Sequence, residues 1–184
     1  MTLKTRATIE DLYGVAGKAE IVDGEIVHMP AVGRGPGYAG DEIYASLRDY
    51  VKKHKKGFAV SDNKGVRVTL PNRESFSPDA AYFDGPAGPP MKFFEGPPAF
   101  AAEVRSEGDY GPFAERAMAA KRGDYFAAGT LVVWDVDLLS EDVVRVYRPT
   151  APDAPTVYCR GDTAEAEPAV PGWTMSVDDL FPAD

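Results

Sequence analysis

Ala99–Val136 reads AFAAEVRSEGDYGPFAERAMAAKRGDYFAAGTLVVWDV, and the fold class turns on its changes of pattern. AFAAEV is a strand, and Ser106, Gly108 and Asp109 supply the turn that ends it. From about Pro112 to Ala128 the period becomes helical: at about 100° per residue Phe113, Ala114, Ala117, Met118, Tyr125 and Ala128 share an arc of roughly 140°. Lys121 falls in the middle of that arc, with Glu115, Arg116 and Arg122 across the helix as expected for solvent. LVVWDV then returns to strand, with Trp134 expected in the core. Upstream, Phe58–Val60, Gly65–Leu70 and Pro78–Phe83 read as strands too close together for helical crossovers, so they should pair mainly antiparallel. A loop rich in proline, Asp84–Pro98, follows them.

Working outward, Ile43, Leu47, Tyr50 and Val51 recur at helical spacing and predict an amphipathic helix from Tyr38 to about His54. Ala19–Met29 holds two β-rich runs around Asp23-Gly24, the signature of a hairpin. Thr8, with Asp11 three residues on, caps a short helix at the amino end. Further strands are expected at Val143–Tyr147 and Val157–Arg160, before an acidic tail over residues 161–184. The whole is a single domain of α/β or α+β class, a mixed β-sheet flanked by helices.

At 184 residues, with 44% hydrophobic and 27% charged, the chain can bury a core, and disorder throughout is excluded. Its apolar runs fall far short of the roughly 18 residues of a membrane span. The start, MTLKTRATIEDLYG, lacks a leader's apolar segment, and Cys159 is the only cysteine, so a cytoplasmic setting without membrane contact is expected. Two histidines and one cysteine leave little for a zinc site. The net charge of -9 argues against nonspecific nucleic-acid binding. It is unevenly spread: no Lys or Arg follows Arg160, while Lys52, Lys53, Lys55 and Lys56 crowd the end of the predicted helix, as a solvated carboxyl terminus or a basic patch.

Two constellations could carry chemistry. Gly35–Gly40, GPGYAG, matches G-x-G-x-x-G with Asp62 beyond it, but it follows a hairpin and no crossover comes after, so a flexible loop leading into a helix is the better reading. The second is a pair of acids: Asp79 opens SPDAAYF and Glu103 closes AFAAEV. If the fold brings them together, their repulsion requires a proton or a hard cation such as Mg²⁺; otherwise they are two independent acids at strand ends. Lys121, if it faces the same side, is the charge to pair with them; alone, it would snorkel.

SPDAAYF, AAEVRSEGD and AKRGDYFAAGTLVVWDVD together resemble the Uma family of "putative restriction endonucleases", a branch of the PD-(D/E)XK nuclease superfamily, and AEIVDGEIVHMP is similar to that family's amino-terminal hairpin. The resemblance spans roughly Ile9 to Tyr147. It implies a restriction-endonuclease-like fold in which Asp79, Glu103 and the backbone carbonyl of Val104 hold Mg²⁺, or Mn²⁺ in its place, Lys121 is the catalytic lysine, and Glu20 is a further acid of the site. Tyr125 and Ser106 are expected in packing and turn roles or just behind these groups. Two positions depart from the pattern. Arg105 stands where the parent motif has lysine and, as a permanent cation, could contact a phosphate or point to solvent; Ser106-Glu107 replaces the usual Ser-Pro. The activity implied is metal-assisted hydrolysis of phosphodiester bonds, with DNA as partner and a homodimer to cut two strands. The alternatives are a nuclease-like binding or regulatory protein with weak or no catalysis, and a nuclease for RNA or single strands.

Overall fold

The computed structural model describes residues 5–183. Residues 1–4, which begin the segment read for a leader, and Asp184, the last acid of the tail, lie outside the described residues. The chain runs through helix α1 (Ile9–Tyr13), strands β1 (Ala19–Val22) and β2 (Glu25–His28), helix α2 (Arg34–His54), and strands β3 (Phe58–Ser61), β4 (Val66–Arg67), β5 (Ser75–Phe76), β6 (Ala80–Phe83), β7 (Phe94–Glu95) and β8 (Phe100–Val104). Helix α3 (Pro112–Ala128) leads to β9 (Val132–Val136), β10 (Val144–Arg148), β11 (Ala151–Tyr158), β12 (Thr163–Glu165), β13 (Thr174–Ser176) and a 3₁₀ turn, Val177–Leu180. This is the mixed α+β architecture expected. No helix among the described residues is long and apolar enough to cross a membrane.

Six strands form the central sheet in the order β11-β10-β9-β8-β6-β3. All neighbours are antiparallel except β8 and β9, which run parallel and are joined by α3 as the crossover. Every residue of β9 is buried, as a strand covered on both faces must be. Ala39, Ile43 and Leu47 of α2 pack on one face, against Tyr82, Phe100 and Trp134. On the other, Ala81, Phe83, Ala101 and Val133 meet Tyr125 of α3 and Phe76. The small side chains of Ala80 and Ala81 at the start of β6 and of Ala101 and Ala102 in β8 let α2 lie close over both strands.

The hairpin forms as the sequence indicates: β1 and β2 are antiparallel, and Asp23 and Gly24 take φ of 53° and 76°, the left-handed pair that a two-residue turn of this hand needs. Other elements depart from expectation. Helix α2 begins at Arg34 with Gly33 as its cap, because Pro36 in a first turn lacks only an N–H that would have no partner there. Gly35–Gly40 is therefore helix and not a flexible loop, and a Cβ on Gly40 would touch the Cβ of Asp79 at 3.6 Å. On α3 the inward face runs through Ala114, Met118, Lys121, Arg122 and Tyr125, whereas Phe113 is 80% exposed and Ala117 also faces solvent. The inward face lies further round the helix than the apolar arc: Arg122, expected in solvent, lays its guanidinium over the Tyr147 ring at 3.7 Å.

The acidic carboxyl-terminal segment is part of the core. Val170, Trp173, Met175 and Leu180 are buried there, and Trp134 Nε1 donates to the Glu165 carbonyl at 3.0 Å. Strand β11, at the sheet's edge, is mostly exposed and carries Pro152 and Pro155; those prolines hid all but its last residues from sequence reading.

Candidate active site

The register of β6 and β8 builds the site. Ala80, the first residue of β6, pairs with Ala102 of β8, which sets Asp79, just before β6, beside Glu103 and Val104 at the end of β8. Asp79 N–H donates to the Ala102 carbonyl at 3.1 Å, which ties it to β8 just beyond the last ladder pair.

Each carboxylate has its own partners. Asp79 Oδ2 accepts the Val104 N–H at 2.7 Å, and Oδ1 meets Lys18 Nζ at 2.5 Å. Lys18 also reaches Asp62, just after β3, at 2.7 Å. Glu103 Oε2 pairs with Lys121 Nζ at 2.9 Å, and Oε1 accepts the Tyr125 hydroxyl at 2.6 Å. The Lys121 ammonium lies equally 2.9 Å from Glu20 Oε1. That oxygen takes the Ser77 N–H at 2.8 Å, while Glu20 Oε2 holds Arg73, which turns its Nε to Asp124 of α3. Strand β1, the β5 segment, β6, β8 and α3 thus meet at one cluster.

The surroundings push the two glutamates apart. Burial alone would raise Glu20, but Lys121 and Arg73 outweigh it and hold that carboxyl below its ordinary range. At Glu103 burial wins, with Asp79 adding to it against Lys121, so its carboxyl lies above the ordinary range. Burial would make Lys121 give up its proton; Glu103 and Glu20 instead keep it protonated beyond the usual lysine range. Tyr125 is raised too, by burial first and then by Glu103.

With every group ionised, the carboxylates of Glu20, Asp62, Asp79, Glu103 and Asp124 face the cations Lys18, Arg73 and Lys121. Two negative charges are in excess, the complement of one divalent cation. Mg²⁺ keeps several waters and is commonly held by one or two carboxylates plus substrate phosphate. Asp79 and Glu103 offer such hard oxygens. Among the described residues no three His, Cys, Asp or Glu side chains gather into a metal cage, so an ion here would complete its shell with water, backbone and phosphate. Of Val104, the N–H is the group seen to touch the site.

Asp79, Glu103, Lys121 and Glu20 thus stand together. Arg105 does not join them: its guanidinium is bound at Asp135 by two hydrogen bonds of 2.7 Å and at Glu115 of α3. Ser106 serves the turn, its N–H donating to Asp109 at 2.7 Å. Sequence reading missed Lys18, Arg73 and the part played by Asp62. Lys18 had a signal, since it lies two residues before Glu20 and alternation along an extended chain turns both to one side. Arg73 had none, because its partners lie on other elements.

A family model, Uma2, described as "Putative restriction endonuclease", matches residues 7–178. Among solved structures, a crystal structure of a "putative nuclease belonging to DUF820" from Anabaena variabilis ATCC 29413 superposes with a TM-score of 0.72 at 18% identity, covering 95% of this chain and 97% of that one. At that identity the likeness speaks for the fold alone. A search of curated proteins finds no match.

Proposed function

The chain belongs to the Uma2 family, and from that premise we propose that it is a metal-dependent endonuclease that hydrolyses phosphodiester bonds of DNA. The observation that carries the reading is the meeting of Asp79, Glu103 and Glu20 at one cluster, with a protonated Lys121 shared by the two glutamates. Asp79, Glu103 and the Val104 carbonyl are the ligands proposed for Mg²⁺ or Mn²⁺. A bound ion of this kind supplies Lewis acidity toward the phosphate and a more acidic bound water.

The chain's own groups do the rest. Lys121 keeps its proton, so it acts as a hydrogen-bond donor that orients the attacking water or offsets charge growing on phosphorus, and not as a base. Glu20 positions that ammonium and is itself fixed by Arg73 and the Ser77 amide. Tyr125 holds Glu103 through its hydroxyl. Arg105, engaged by Asp135 and Glu115, would have to release one of them to contact a phosphate. Cutting both strands of a duplex calls for two such sites, and a homodimer is the assembly this reading requires.

Plasmid DNA should be cut in Mg²⁺ or Mn²⁺ and spared by chelator. Asp79→Asn should lose Mn²⁺ binding in calorimetry, while Lys121→Met should keep it and cut about 10²- to 10⁴-fold more slowly. A protein that binds Mn²⁺ but cuts neither duplex, single strands nor RNA would be a binding scaffold.

A further inference from the structure

We propose that Lys18 is a tethered counter-ion standing in the place of the divalent cation at Asp79, and that loading of the cation displaces it onto Asp62 alone. The inference rests on the metal-site reading above.

Asp79 has one oxygen committed to the backbone, since Oδ2 takes the Val104 N–H at 2.7 Å. Oδ1 is left to face a cation, and Lys18 Nζ lies on it at 2.5 Å. The contact is sheltered: the side chains of Lys18 and Asp79 are only 11% and 12% exposed. An ammonium and a divalent ion on one oxygen would repel at a few ångströms with little water between them, so one must leave. The lysine has somewhere to go. Asp62 already holds its Nζ at 2.7 Å and is 37% exposed, against 12% for Asp79. The four-carbon stem needs only a small rotation to keep that partner while leaving the other.

Lys121 differs. It is shared by Glu20 and Glu103 at 2.9 Å each, and Glu20 is in turn fixed by Arg73 and the Ser77 amide. The two lysines therefore divide the work: Lys121 is anchored, and Lys18 is exchangeable.

Calorimetric titration with Mn²⁺ tests this on wild type, Lys18→Met, Asp62→Asn, the double variant, and Asp79→Asn as control. Lys18→Met should bind about tenfold tighter or more, because a competing positive charge is gone. Asp62→Asn should bind several-fold weaker, since the displaced ammonium loses its acceptor, and that effect should vanish in the Lys18→Met background. Unchanged or weaker binding by Lys18→Met overturns the proposal. An equal Asp62→Asn loss in both backgrounds also overturns it, by making Asp62 a direct ligand. If Lys18→Met does not fold, Lys18→Gln takes its place, and a crystal structure of the wild type with Mn²⁺ decides independently: Lys18 Nζ should have left hydrogen-bond range of Asp79, and a bound ion with that contact intact refutes displacement. Binding unaffected by Asp79→Asn would instead defeat the metal-site reading itself, an outcome distinct from a failure at Lys18.

Discussion

Glu20 and Glu103 share the Lys121 ammonium yet respond to protons in opposite senses. Glu20 is held below its ordinary value of 4.5, so its charge contributes stability at pH above about 4.5, and that contribution is lost as pH falls through the lower folded value. Glu103 is raised, so the folded chain favours its neutral form; that contribution is present below 4.5 and lost as pH rises through the raised folded value. In metal-free protein, Glu20→Gln should therefore lower the unfolding temperature at pH 7, with the deficit shrinking below pH 4.5. Glu103→Gln should raise it at pH 7, and the gain should disappear in acid. Thermal scans across pH measure both; a Glu103→Gln protein less stable than wild type at pH 7 contradicts the assignment. At this scale Asp79, Glu103, Lys121 and Glu20 were legible because each sits within a short quoted motif. Lys18, Arg73 and Asp62 were not singled out, because an ion pair across 61 residues, as between Lys18 and Asp79, has no local pattern.

Between residues and molecule, α3 is held to the sheet as much by charge as by apolar packing. Arg105 at the end of β8 joins Asp135 of β9 and Glu115 of α3, so one guanidinium bolts together a strand, its parallel neighbour and the crossover between them. Arg105→Met should cost about 3 kcal/mol in urea unfolding, because Asp135, 5% exposed, would be left ionised without its partner. An arginine that only touched substrate would leave stability unchanged. The mixed contacts of α3 separate its inward face from its apolar arc: such an arc cannot report a helix that turns Lys121 and Arg122 inward. The hairpin, α2 and the strands β6, β8 and β9 were readable, since turn chemistry and period agree there. Two-residue strands such as β5 and β7 are too short to carry a period at all.

Over the whole chain, the carboxyl-terminal segment decides whether the sheet is covered. Trp173 packs at a tilt against Trp134 and Phe100 with ring centroids 5.1 and 5.5 Å away, and its Nε1 donates to Ser46 of α2 at 3.0 Å. A chain ending at Arg160 should lose cooperative unfolding and near-ultraviolet circular dichroism, since large aromatic faces would lie open to water. Retention of a sharp transition would show the segment to be dispensable. Its composition concealed this, because the acids face outward between buried residues spaced too irregularly to mark a strand.

An open sheet margin is a template onto which another polypeptide can add, and fibrous aggregation often begins there. On β11 Pro152 and Pro155 carry no N–H, and the register with β10 shifts across the same stretch, so an incoming strand would find the ladder it tried to extend irregular. Growth of the sheet by strand addition is discouraged on this side, so a copy that meets the molecule here is held by side-chain fit instead of backbone templating.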